Sequence, residues 1–225
     1  MARLAVFCPA QAGAARHGPM WLPHTDWLHH RLAITGPSNP LAAFRAAAAG
    51  AGIIPWHLDL DRLEEDLFHR LVSPPALPGS LTLPGSRTLA QDRSGVAGAR
   101  VLAGQLRAAV AGRHERAVAH VGRSRACPLD LHALLPVPDA VLRLGPDEPA
   151  ALAWLWQHWG TTQALRQVAE DVAAAGGSRR CPSERQAVVH LTFWSADWTP
   201  WRALAQLALA WPGLRFDTRP TYEAL

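Results

Sequence analysis

The tryptophans are the residues of this chain whose number and placement could most readily serve ligand recognition. The 225-residue chain contains ten tryptophans. Seven of them lie between residues 154 and 211: Trp154, Trp156, Trp159, Trp194, Trp198, Trp201 and Trp211. An indole ring offers a large flat apolar surface and one N–H group that needs an acceptor when it is buried. Buried rings fill a core, whereas exposed rings stack on ligands or nucleobases.

Trp194 and Trp198 lie where a predicted strand becomes a predicted helix, and we expect both to be partly exposed. Asp197 and Arg202 are their neighbours in the sequence and add one charge of each sign. We therefore predict a candidate binding site made of Trp194, Asp197, Trp198 and Arg202. Trp159 and Trp201 lie on predicted apolar helix faces, so we expect them to pack in the core.

Other reactive residues do not group into a catalytic or metal site. Neighbours on a strand point to opposite faces, which separates His29 from His30. The next set lacks the spacing of zinc ligands: His114, His120, Cys127 and His132. Acidic residues between Asp59 and Asp66 are typical of a helix N-terminus, where carboxylates meet the helix dipole favourably. The chain has no nucleophile elbow, P-loop or dinucleotide fingerprint, so we predict no catalytic residue, metal or cofactor.

Composition indicates a globular chain. Hydrophobic residues make up 49% and charged residues 18%, and no apolar run approaches the roughly 20 residues of a membrane span. Three widely spaced cysteines form no disulfide framework, which favours a soluble cytoplasmic protein. All 22 basic residues are arginine, the net charge is +4, and the arginines are interspersed with acidic residues. That scatter is typical of a solvated mixed surface. We expect the Ala-, Gly- and Pro-rich residues 1–19 to be a poorly ordered tail.

Hydrophobic periodicity predicts the elements that must position these residues. Alternation over residues 27–35 predicts a strand with Leu28, His30, Leu32 and Ile34 on one face. Further strands are predicted at 53–60, 129–137, 187–193 and 214–218, and helices at 41–49, 61–71, 88–121, 149–159 and 200–211. Residues 162–172 fit a strand or a helix. Thr199 is the predicted cap of the last helix, with Pro200 in its first turn. The N–H groups of that turn could hold an anion, although a capping threonine would satisfy one of them.

Several short motifs occur in the order typical of one protein family. They are Trp27 with Arg31–Gly36, Leu134–Pro138, His158–Thr161 and Ala196–Pro200, and the chain ends near Tyr222 and Glu223. In this order they resemble a ferredoxin-like domain family found on bacterial mobile elements and named from an adhesion pathogenicity island. His30 stands where that family often has asparagine, and Thr162, Gln163 and Asp197 also depart from its pattern.

The resemblance covers residues 24–54 and 127–223 and implies a fold but no activity. The implied fold is α+β, a ferredoxin-like antiparallel sheet with packed helices and a helical insertion. We expect a single domain over residues 20–225, with its core at 24–60 and 123–223 and the insertion at 61–122.

Three functions are compatible with these features. The first is a non-enzymatic binding or interaction protein associated with mobile genetic elements. The second is a module that binds single-stranded nucleic acid through arginine and exposed tryptophan, which requires arginines clustered on the open face of the sheet. The third is an enzyme of unknown reaction. The predicted partners are a protein or a nucleic acid, not a membrane, and a second copy of the chain could pair through a sheet edge.

Overall fold

The computed structural model describes residues 25–72, 93–171 and 186–221. Within these ranges the chain forms four strands and seven helices. The strands are β1 (Trp27–Pro37), β2 (Arg166–Glu170), β3 (Gln186–Ala196) and β4 (Arg215–Thr221). The helices are α1 (Ser38–Ala48), α2 (Leu60–Val72), α3 (Arg93–Val118), α4 (Leu131–Leu134), α5 (Asp139–Leu142), α6 (Pro149–His158) and α7 (Trp201–Ala210).

The four strands form one antiparallel sheet in the order β2-β3-β1-β4. β1 and β3 are its long central strands and pair over eleven residues, from Trp27 opposite Ala196 to Pro37 opposite Gln186. β4 pairs with the other edge of β1, and β2 with the other edge of β3. The predicted α+β class and antiparallel sheet are therefore confirmed.

One face of the sheet and the helices that cover it enclose the core. Alternate residues of β1 point toward the helices, and His30, Leu32 and Ile34 are buried there, as the alternation predicts. β3 contributes Val189, Leu191 and Phe193 to the same face. The helical side supplies Leu41 and Phe44 from α1, Leu155 from α6, Trp159 just after it, and Ala203, Leu204 and Leu207 from α7.

Helices α2 and α3 pack against each other and occupy most of the range predicted for the insertion. The acidic residues of α2 face arginines of α3: Arg100 is 2.7 Å from Glu65, and Arg107 is 3.1 Å from Asp61. These ion pairs join the acidic residues of α2 to α3. Four apolar residues that predict α3 are exposed: Val101, Leu102, Leu106 and Val110.

The strand predicted at 129–137 is wrong, because a capped helix turn occupies this segment. The Asp130 carboxylate accepts the backbone N–H groups of His132 and Ala133 and so caps α4. It also accepts the N–H of Gly52 at 2.9 Å. Gly50 and Cys127 meet in an isolated bridge beside it. The hydrogen bonds of the Asp130 cap favour a helix turn here, although the apolar residues of this short segment alternate as in a strand.

Other predicted boundaries also change. Residues 53–59 form no strand, since the Trp56 N–H bonds back to Ile54 O and the His57 N–H bonds to Leu142 O. The open choice at 162–172 resolves to β2, which has a bulge between Arg166 and Ala169. The N-cap position of α7 is Pro200, with no side-chain cap, so the predicted capping role of Thr199 is wrong.

The predicted tail at 1–19 and the motif residues Tyr222 and Glu223 lie outside the described residues. So do residues 73–88, whose Pro, Gly and Ser content predicts a loop, and residues 173–185, whose Ala, Gly, Ser and Arg content predicts a linker. Among the residues that the structure describes, no helix combines the length and the apolar character needed to cross a bilayer.

Candidate functional site

The sheet face turned away from the helices carries most of its polar and aromatic strand residues, and we call it the open face. On β1 it comprises Trp27, His29, Arg31, Ala33 and Thr35, which alternate with the core residues. Strand register places these residues in rows. One row joins Trp194, His29 and Thr221, the next joins Thr192, Arg31 and Arg219, the third joins His190, Ala33 and Asp217, and the fourth joins Val188, Thr35 and Arg215.

Aromatic rings occupy one end of the open face. The His29 and Trp194 rings lie 5.0 Å apart between centroids on the two central strands. Beside them, the guanidinium carbon of Arg166 lies 3.9 Å from the centre of the Trp27 ring. Trp27, His29 and Trp194 are each half-buried. These rings form a platform on which a flat ligand can stack.

Four arginines belong to the same face: Arg31, Arg166, Arg215 and Arg219. All four are exposed. Arg31 and Arg219 stand directly opposite each other on β1 and β4, an arrangement of like charges that destabilises a sheet unless a counter-charge is near. Asp217 supplies part of that charge, because its Oδ2 accepts a hydrogen bond from Arg219 at 3.3 Å. The open face thus combines aromatic surface with concentrated positive charge.

A depression of about 420 Å³ lies on the open face around Ala33, and we call it the Ala33 depression. Ala33 is small, and its larger neighbours form the walls. Those walls are Arg31, Asp171, His190, Thr192, Asp217 and Arg219. Its volume falls within the range of small-molecule sites.

The predicted site residues do not meet in one groove. Trp194 lies on the open face. Asp197 has a φ of 62°, and its carboxylate accepts the Asp26 N–H at 3.1 Å and the Thr162 hydroxyl at 2.8 Å. Asp197 therefore shapes the turn after β3, since aspartate tolerates a left-handed backbone and bonds locally.

Trp198 and Arg202 lie on the helical side of the sheet. The Trp198 ring, 39% exposed, meets the edge of Trp156 on α6 at 5.7 Å between centroids. Arg202 donates to the Gln157 carbonyl at 3.0 Å. Together these contacts join the start of α7 to α6.

The two core predictions for tryptophan have opposite outcomes. Trp159 is fully buried and donates its indole N–H to Leu135 O at 3.1 Å, as predicted. Trp201 is 58% exposed, so its predicted burial is wrong. The buried residues of α7 are Ala203, Leu204 and Leu207. At 3.6 residues per turn, Trp201 lies roughly 110° around the helix from their centre.

A buried polar network under the sheet holds the connection between β3 and α7. The His30 ring is fully buried and stacks on Phe193. Its Nε2 lies 2.8 Å from the Thr199 hydroxyl and its Nδ1 lies 3.0 Å from Leu28 O. Ser195 donates its hydroxyl to Trp198 O at 2.6 Å. Burial lowers the pKa of His30, so the ring stays neutral near pH 7.

The arginines and the depression of the open face are functional candidates that the sequence pattern did not reveal. Strand alternation places Arg31 opposite the core residues of its own strand. It does not indicate that Arg219, 188 residues later, lies beside it, because register is a property of strand pairing.

Comparisons with protein-family models, with curated proteins and with solved structures find no match to this chain. The family resemblance stays a prediction that rests on its motifs.

Proposed function

We propose that this chain is a non-enzymatic binding protein and that single-stranded nucleic acid binds to the open face of its sheet. The observation that carries the proposal is the placement of four arginines and three aromatic rings on that one face, across all four strands. Clustering of arginine on the open face is the requirement that separates this function from a merely solvated charged surface.

Each part of the open face suits one part of a nucleotide chain. Bases unstacked from a duplex present flat π-surfaces, and His29 with Trp194 offers rings on adjacent central strands for stacking. Phosphates carry negative charge, and the guanidinium groups of Arg31 and Arg219 attract them from the neighbouring row. Helices α1, α6 and α7 pack on the other face, so they leave this surface to a ligand.

We propose a ferredoxin-like topology as the finer description of the fold. The order β2-β3-β1-β4, with every neighbouring pair antiparallel, supports this arrangement. So does the succession of β1, α1, β2, β3, α7 and β4 along the chain. The association with mobile genetic elements is proposed on the motif resemblance.

We propose that the chain binds its ligand as a monomer and does not pair through a sheet edge. The two edge strands of the described sheet are β2 and β4. β2 has five residues and a bulge in which Gln167 has a φ of 48°. β4 carries Pro220, which has no N–H group, and two arginines. Each feature opposes the addition of another strand.

Replacement of one tryptophan on each side of the sheet tests the function. We expect Trp194→Ala to weaken binding of a labelled oligothymidylate of about 12 nucleotides by roughly 5- to 150-fold, the effect of one lost stacking partner. Trp201→Ala is the matched control, because Trp201 is more exposed but belongs to α7 on the helical side. Fluorescence anisotropy measures both affinities. Equal effects of the two substitutions, or no binding by the wild type, would contradict the proposal.

A further inference from the structure

The Ala33 depression combines charges in a way that a phosphate site alone does not require. Two guanidinium groups, Arg31 and Arg219, form one wall. Two carboxylates, Asp171 and Asp217, form others, and the His190 ring lies across from Asp217 with Ala33 between them. A simple anion would be repelled by the carboxylates. The depression therefore suits a ligand with a negative group at one end and hydrogen-bond donors at the other.

The spacing of the rows fits two successive nucleotides of one strand. Strand residues rise about 3.4 Å each, so the Arg31 row lies about 7 Å from the His29–Trp194 row and about 7 Å from the Ala33 row. A base stacked on Trp194 and a base over Ala33 would place their linking phosphate near Arg31 and Arg219. The depression of about 420 Å³ has room for one base.

The chemistry of the walls distinguishes among the bases. Asp217 stands directly opposite Ala33 and, as a carboxylate, offers only hydrogen-bond acceptors. Guanine presents two adjacent donors, the ring N1–H and the 2-amino group, which match the two carboxylate oxygens. Oδ2 already accepts a hydrogen bond from Arg219, and its second lone pair can accept one from the base. Thymine and uracil flank their single N–H with carbonyl oxygens, which a carboxylate repels. Adenine and cytosine place a ring-nitrogen lone pair beside their amino group.

We propose that the Ala33 depression is a guanine-nucleotide subsite within the single-strand interface. The base lies over Ala33 and donates N1–H and the 2-amino group to Asp217, while Arg31 and Arg219 hold the adjoining phosphate. This inference rests on the proposed function. The same chemistry would recognise a guanine in a strand or a guanosine monophosphate in solution, and the experiment separates these two sources.

The test uses the full chain and two pairs of probes. The first pair is an oligothymidylate and the same oligonucleotide with one central dG, compared by fluorescence anisotropy. The second pair is guanosine monophosphate and thymidine monophosphate, compared by isothermal titration calorimetry. We expect the central dG to tighten binding by on the order of 5- to 150-fold, the range for one bidentate base contact. Guanosine monophosphate should bind more weakly than the dG strand, because it lacks the stacked neighbour.

Asp217→Asn tests the contact itself without a change in side-chain size. Asparagine replaces one acceptor by a donor, so the preference for dG should disappear while oligothymidylate binding is retained. Asp139→Asn, an exposed aspartate of α5, is the control and should keep the preference.

The outcomes separate this inference from the function on which it rests. If no oligonucleotide binds, the proposed function fails. If oligothymidylate binds but one dG brings no gain, or if the gain survives in Asp217→Asn, the guanine subsite is wrong and the interface stands. If guanosine monophosphate binds as tightly as the dG strand, the site serves free nucleotides and the strand subsite is wrong.

Discussion

The salt dependence of binding gives a quantitative test of the open face. Each phosphate neutralised on a single strand contributes a slope of about −0.7 to the logarithm of affinity against the logarithm of salt concentration. Four arginines line the open face: Arg31, Arg166, Arg215 and Arg219. If each meets one phosphate, the slope is about −2.8, which weakens binding about 50-fold between 50 and 200 mM salt.

The perturbation is Arg215→Gln. Arg215 is exposed on β4 opposite Thr35, so its removal should leave the fold intact and take away one phosphate contact. The slope should then become about −2.1, and the same change in salt should weaken binding only about 20-fold. Arg113→Gln on α3 is the matched control, since it removes the same charge from an exposed residue outside the sheet.

The assay is fluorescence anisotropy of a labelled oligothymidylate at four or more salt concentrations. Identical slopes for Arg215→Gln and the wild type would refute the assignment of phosphate contacts to the open face. If Arg113→Gln makes the slope shallower by as much as Arg215→Gln does, the assignment is also refuted, because the effect would then reflect net charge alone. A wild-type slope near zero would remove the electrostatic basis of the interface.

Three further predictions concern the fold that presents this face. Asp130→Ala should lower the free energy of unfolding by about 2–4 kcal/mol, because three backbone N–H groups lose a charged acceptor. Urea denaturation measures this change. Asp139→Ala is the control, because Asp139 is exposed, and it should lower the free energy of unfolding by less than about 1 kcal/mol. Gly50→Ala should destabilise by about 1–3 kcal/mol, since its Cβ would collide with the Asp130 carboxylate, and the cost should shrink in the double variant with Asp130→Ala. Stability should fall as pH drops below about 6.5, by at most about 1.4 kcal/mol per pH unit from His30, because the unfolded chain takes up the proton that buried His30 resists.

These three predictions have distinct contrary results. Equal effects of Asp130→Ala and Asp139→Ala would contradict the capping role. Additive costs in the Gly50 and Asp130 double variant would contradict the predicted collision. His30→Gln should flatten part of the slope below about pH 6.5, while His132, whose pKa burial also lowers, keeps the rest. An unchanged slope in His30→Gln would show that this ring is not the titrating group.

Local sequence pattern predicted those elements whose periodicity and end signals agree. The alternation of Leu28, His30, Leu32 and Ile34 placed β1 and its core face, and the apolar run at 187–193 lies inside β3. Gly160 follows the C-cap residue of α6, Trp159, where its φ of 79° suits glycine. In each case the responsible interactions lie within a few residues, so the sequence alone contains them.

Where a local pattern competes with a distant contact, the sequence misleads. Residues 129–137 alternate like a strand, but Asp130 bonds to Gly52, 78 residues earlier in the chain, and caps α4. Trp201 lies in an apolar helix, but α7 turns Ala203 and Leu204 toward the sheet instead. The partner of each residue lies on another element, and no period along the chain identifies it.

The sequence by itself shows that the protein has many tryptophans, that its basic residues are all arginine, and that no catalytic motifs group together. Only the tertiary structure decided which tryptophans are exposed and which arginines are neighbours. Arg31, Thr192 and Arg219 meet in one row because β1 pairs with β3 on one side and with β4 on the other. A period of two assigns each strand residue to a face, but pairing and register, which depend on the whole chain, create the surface that a ligand meets.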